Sequence, residues 1–198
     1  MTVKKGQKMQ TVKFDKAGWE NELTTAYTFR YVENPKFTQK DGYVTTAVNK
    51  NHREGFDNIS MLTHEKQTAG VTATLHCAFE DIGCPEIIIV PETEKCPDGE
   101  YRYGACFEVV LWKNGINVWR HFREEDGRCH WHLRLGDTFD VSENDIHTLT
   151  VNVEEYYLNI DVDGHKIRLR VEDIPKEFYI GLTACEGIVR IYDYTVEA

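Results

Sequence analysis

Between Ala105 and Leu135 the chain runs through three consecutive stretches of alternating residues, and the side chains able to do chemistry fall on one phase of them. Glu108, Trp112, Asn117, Trp119, His121, Arg123, His130, His132 and Arg134 make up that phase. The other phase is Phe107, Val109, Leu111, Ile116, Val118, Phe122, Cys129, Trp131, Leu133 and Leu135. Successive side chains of a strand point to opposite faces, so the pattern predicts one core face and one face that stacks, hydrogen-bonds and exchanges protons. A solvated sheet face is usually Thr, Ser, Lys and Glu, and this one reads instead as the floor of a binding site.

His130-Trp-His132 places two imidazoles on one face, and His121 on the preceding strand adds a third within cross-strand reach of about 5 Å between Cβ atoms. Such a set suits a divalent metal, with Glu108 or His76 as a further ligand. It equally suits acid/base work near neutral pH, Glu108 sharing the proton with one of the histidines. A third possibility is a solvated face whose histidines hydrogen-bond one another. No cofactor is required by the pattern, and a divalent metal is compatible with it.

These residues need a scaffold of strands. Asp41-Gly42, Asp98-Gly99, Asp126-Gly127 and Asp163-Gly164 punctuate the chain, and Asn114-Gly115 is the tightest hairpin signal. Strands are expected at about 27–33, 42–48, 58–62, 71–80, 86–90, 105–112, 116–124, 128–135, 147–153, 156–162, 166–171, 178–184 and 188–197. No stretch keeps helical periodicity for three turns. Short strands at near-regular spacing predict an all-β, two-sheet antiparallel sandwich. The 91–104 segment, broken by Pro91, Pro97 and Gly99, reads as a loop forming a site wall. Asp161-Val-Asp163-Gly164 resembles a calcium pair but is better explained as turn chemistry.

The 198 residues include 4 Trp, 10 Tyr and 9 Phe, enough apolar volume for one globular domain spanning 1–198, with 1–12 expected to be a loosely ordered N-terminal segment. A net charge of -10 argues against general nucleic-acid binding, which draws its affinity from clustered cations. No apolar run has the length of a membrane span, and no hydrophobic stretch follows the basic, polar start, so a cytoplasmic location is expected. The six cysteines are irregularly spaced with no CxxC pair and read as reduced, buried thiols; in a mature secreted form Cys84 and Cys96 would be the first disulfide candidates.

From His147 the chain reads His147-Thr-Leu-Thr-Val, a strand ending in Asp163-Gly164, Phe178-Tyr-Ile-Gly181-Leu182, and Gly187-Ile-Val-Arg-Ile-Tyr-Asp-Tyr-Thr-Val. This succession resembles the closing strands of concanavalin A-like lectin/glucanase jelly rolls. The resemblance implies a jelly-roll sandwich and a saccharide ligand on the face described above. The retaining glucanases of that fold carry a Glu-x-Asp-x-(x)-Glu strand. Here the equivalent stretch, Cys106-Phe-Glu108-Val-Val-Leu-Trp112, holds one carboxylate, and the arginine- and glutamine-containing motifs of the alginate lyases are absent. The fold therefore transfers without its catalytic residues.

Under that resemblance the expected function is cleavage of a glycosidic bond, by hydrolysis or elimination, on the concave sheet. Glu108 with His121, His130 or His132 would be catalytic. Trp112 and Trp119 would stack on a sugar ring, and Arg123 and Arg134, with His76 nearby, would hold substrate, the arginines a carboxylated or phosphorylated sugar. The arginines could instead pair across strands with Glu108, Glu124 or Glu125. Two other classes remain open: a non-catalytic carbohydrate-binding protein using the same face, and an interaction subunit docking another protein there.

Overall fold

The computed structural model describes residues 8–28, 37–46 and 59–198. The expected strands at 27–33, 42–48 and 58–62 lie partly outside them. Strands hold most of the described residues and build two sheets. One is ordered His165–Arg170, Tyr157–Val162, His147–Val153, Thr72–Glu80, Ile188–Glu197, Val44–Thr46, Phe37–Gln39, with Met9–Lys13 also on Ile188–Glu197. The other is ordered Cys129–Thr138, Gly115–Arg123, Cys106–Trp112, Cys84–Val90, Glu177–Cys185, Ile59–Leu62, Thr24–Thr28, Tyr101–Tyr103, Glu94–Lys95. Pairings among the described strands are antiparallel except Tyr101–Tyr103 on Thr24–Thr28, which is parallel.

Alternation explains how the two sheets adhere. Leu75, Cys77, Phe79, Leu149 and Val151 from the first sheet meet Ile87, Ile89, Phe107, Val109, Ile180 and Leu182 from the second, all fully buried in one cluster. Each such aliphatic or aromatic side chain contributes about 1.5–3 kcal/mol by leaving water. Burial also pushes the Cys77 thiol far above its ordinary range, making it an inert core group. Gly181 is required where strands close in: a Cβ there would stand 2.0 Å from the Met61 carbonyl oxygen.

Two expectations are corrected here. The N-terminal segment is not loose throughout, because Met9–Lys13 pairs with Asp193 to Glu197. The 91–104 segment contains two short strands, Glu94–Lys95 at the sheet edge and Tyr101–Tyr103 paired on both sides, with Tyr103 buried. Tyr103 packs with Ile88, Val90 and Cys106 in a second apolar cluster and meets Ser60 Oγ at 2.6 Å through its hydroxyl. The six cysteines are free thiols, as expected, but only Cys77 and Cys106 are buried; Cys84 stands opposite Cys185. At the Asp161 to Gly164 corner both carboxylates serve the turn. Asp161 accepts the Gly164 N–H at 2.7 Å, and Asp163 accepts the Thr148 N–H at 2.8 Å and lies 2.6 Å from His147 Nδ1.

Candidate functional site

The hairpin Cys106–Trp112 and Gly115–Arg123 is in regular register, with Cys106 opposite His121 and Glu108 opposite Trp119. Those four side chains therefore share the face turned away from the core, together with Val110, Trp112 and Asn117. Glu86 joins them from the neighbouring strand, opposite Val110 and so diagonal to Glu108. All of these but Cys106, together with Trp131, Cys84, Cys185 and Glu186, line a cavity of about 240 Å³. Its floor is a buried pair: His121 Nε2 lies 2.5 Å from Glu108 Oε2, with Glu108 4% and His121 6% exposed. The Cys106 thiol donates to Glu108 Oε1 at 3.6 Å. Trp131 roofs the imidazole, its ring stacked at 6.5 Å and 26°.

The next strand departs from simple alternation. Val118 pairs with Leu135 but Trp119 pairs with Leu133, so Arg134 is an extra residue in a bulge. Opposed residues share a face, and the bulge therefore reverses the phase of everything before it in Cys129–Thr138. Trp131 and Leu133, expected in the core, stand on the site face and are about half exposed. His130, His132 and Arg134, expected at the site, stand on the opposite side. His132 packs edge-on against Phe122, His130 approaches Glu124 at 3.4 Å, and Arg134 approaches Asp173 at 3.7 Å. Arg120 occupies that side too, over Phe107 and Phe122 and bonded to Asp173 at 3.1 Å.

The structure does not bring His121, His130 and His132 to one face, because the bulge separates one imidazole from the other two. His76 is also elsewhere, on the outer face of the other sheet, 2.7 Å from Asp193. Arg123 keeps the phase of His121 but sits past the cavity, its stem along Gly104. Glu108, His121, Trp112 and Trp119 are brought together as expected.

Several site residues carried no recognised sequence signal. Cys106, opposite His121, makes with Glu108 and His121 a group whose donor atoms lie within 4.8 Å of one another, a set that could hold a divalent ion. Glu86, 1% exposed, opens the run Glu86-Ile-Ile-Ile-Val, and a carboxylate leading so apolar a strand was the clue. Glu186 stands at φ 49, a left-handed conformation uncommon for a side chain of its size, in the corner where Gly187 packs on the Gly83 backbone. Burial raises the Glu186 carboxyl above its ordinary range. The Trp112 Nε1, buried in the cavity wall, has no hydrogen-bond partner among the described residues. A larger hollow of about 510 Å³ near Met9, Glu22 and His64 is lined mostly by exposed side chains and has no comparable buried group.

No family model matches the chain, and no curated protein matches it. Solved structures do. The chain is similar to a carbohydrate binding module, CBM66, from Bacillus subtilis, with a TM-score of 0.61 and 11% identity over 83% of this chain and 92% of that one. Beta-agarase A from Zobellia galactanivorans aligns with a TM-score of 0.64 and 8% identity, covering 98% and 93%. A beta-1,3-1,4-glucanase (lichenase) derived from a mouse hindgut metagenome aligns with a TM-score of 0.57 and 16% identity, covering 96% and 98%. With two packed sheets, their strand pairings and these neighbours in agreement, the chain has the concanavalin A-like lectin/glucanase jelly-roll fold.

Proposed function

We propose that the protein is a glycoside hydrolase whose active site is this cavity. The observation that carries the proposal is the buried Glu108–His121 pair on the floor of a cavity walled by three tryptophans. Removing an ionisable pair from water is expensive, and such groups in a cleft mark candidate catalytic sites. Sugar rings present apolar faces to indoles and hydroxyls to polar atoms, and the Trp112 N–H offers a donor. The cavity has room for one sugar ring rather than a row of them.

In this reading His121 orients Glu108, which takes a proton from the attacking water. Glu86 protonates the departing glycosidic oxygen. Glu86 and Glu108 stand at diagonal cross-strand positions, a placement that lets one serve as acid and the other as base on the same glycosidic bond. Proximity to the fold's hydrolases and to a binding module supports a saccharide ligand for either an enzyme or a binder. The tryptophan walls by themselves also suit a second reading, a non-catalytic sugar-binding protein.

Screening β-glucan, agar-derived, uronic and amino-sugar oligosaccharides for melting shifts and for product separates the two. An enzyme loses turnover by about 10²–10⁴ in Glu108→Gln and Glu86→Gln while keeping its melting shift with sugar, and Trp119→Ala loses the shift. Sugar-dependent shifts without product from any glycan support the binder. No shift from any sugar overturns both.

A further inference from the structure

Three of the residues lining the cavity are glutamates, Glu86, Glu108 and Glu186, and none is lysine or arginine. His121 stands against Glu108 and Glu86 holds its proton as the acid, so Glu186 is the carboxylate left to meet a cation in a lining with no lysine or arginine. The arginines nearest in sequence are directed elsewhere. Arg120 and Arg134 meet Asp173 across the sheet, Arg128 meets Asp126 and Glu124, and Arg123 lies along Gly104. The rest of the wall is dominated by Trp112, Trp119 and Trp131. Indole faces attract cations within about 6 Å, and carboxylates do so more strongly. Both kinds of wall therefore favour the same substituent.

We infer that this site prefers a sugar bearing a free, protonated amine over its neutral and acidic counterparts. The inference rests on the saccharide reading above and names the substrate class within it. A uronic or phosphorylated sugar, which the arginines suggested from sequence, would meet carboxylates instead of guanidinium groups. Glu186, held at the cavity lip by its left-handed corner, is the specificity residue, because it stands on the lip rather than in the Glu108–His121 pair.

Calorimetric titration of glucosamine, glucose and glucuronate oligosaccharides of equal length tests this, with tetramethylammonium as a sugar-free cation. Glucosamine oligosaccharides are expected to bind about tenfold tighter than glucose ones, about 1.4 kcal/mol, with uronates weakest and the ratio shrinking as salt rises. Glu186→Asn removes the carboxylate with a residue that tolerates positive φ, and narrows the amino-to-neutral ratio; Glu186→Lys moves the preference toward the uronate. Equal affinity for amino and neutral sugars, or preference for the uronate, overturns the inference and leaves the saccharide reading standing. Binding of tetramethylammonium but of no sugar overturns both.

Discussion

Replacing Glu108 and His121 together by apolar residues, Glu108→Leu with His121→Phe, is expected to cost far less stability than replacing either alone. The two groups face each other at 2.5 Å, with side chains 6% and 7% exposed. With the imidazole protonated, an ion pair at that distance gains about 7 kcal/mol at an effective dielectric of about 20. Desolvating its two members costs several kcal/mol each, so attraction and desolvation nearly cancel. His121→Ala or Glu108→Ala removes the attraction but keeps one desolvation cost, a loss of about 3–5 kcal/mol. For a chain of this length that lowers the Tm by roughly 6–20 °C. The double variant removes both costs and should fall within about 1–2 kcal/mol of the parent while losing all turnover. Urea unfolding of the four proteins measures this, provided the m-value stays constant. Additivity of the two single losses to within about 0.5 kcal/mol would refute the reasoning, because uncoupled residues behave that way.

Two further outcomes follow from the same geometry. Zinc is expected to inhibit cleavage by bridging Cys106, Glu108 and His121 and so displacing the proton the pair handles; EDTA restores activity, and Cys106→Ser raises the zinc concentration needed, as a rate assay against metal concentration will show. Gly181→Ala forces a methyl to within 2.0 Å of the Met61 carbonyl oxygen and is expected to destabilise by about 3 kcal/mol, a Tm drop of roughly 6–12 °C by calorimetry.

The faces of Cys106–Trp112 and Gly115–Arg123 were legible because alternation is unbroken across that hairpin, and so Glu108, Trp112, Trp119 and His121 could be grouped from sequence. The jelly roll was legible in its turn residues: Gly42, Gly99, Gly115, Gly127 and Gly164 all have positive φ, as the corners assigned to them require. The phase of Cys129–Thr138 was not legible, because the bulge at Arg134 is marked by neither glycine nor proline. His76 was misplaced for a different reason: alternation tells a side chain's face but not which sheet its strand joins. Glu86 was hidden because membership of the site depends on a pairing between strands about twenty residues apart, which no local pattern encodes.

The bulge at Arg134 lies in the outermost strand of its sheet, bonded in the sheet order to a single neighbour, Gly115–Arg123. Moving that one-residue surplus out to the Cys129 end would break and remake only the ladder from Trp119 to Arg123, leaving every other pairing intact. In that alternative register His132 would oppose His121, and His130 and Arg134 would turn to the same face, while Trp131 and Leu133 would withdraw. The position of that one surplus residue thus decides which side chains of the 130–134 track turn to the site face: with the surplus at Arg134 they are the indole of Trp131 and the Leu133 side chain.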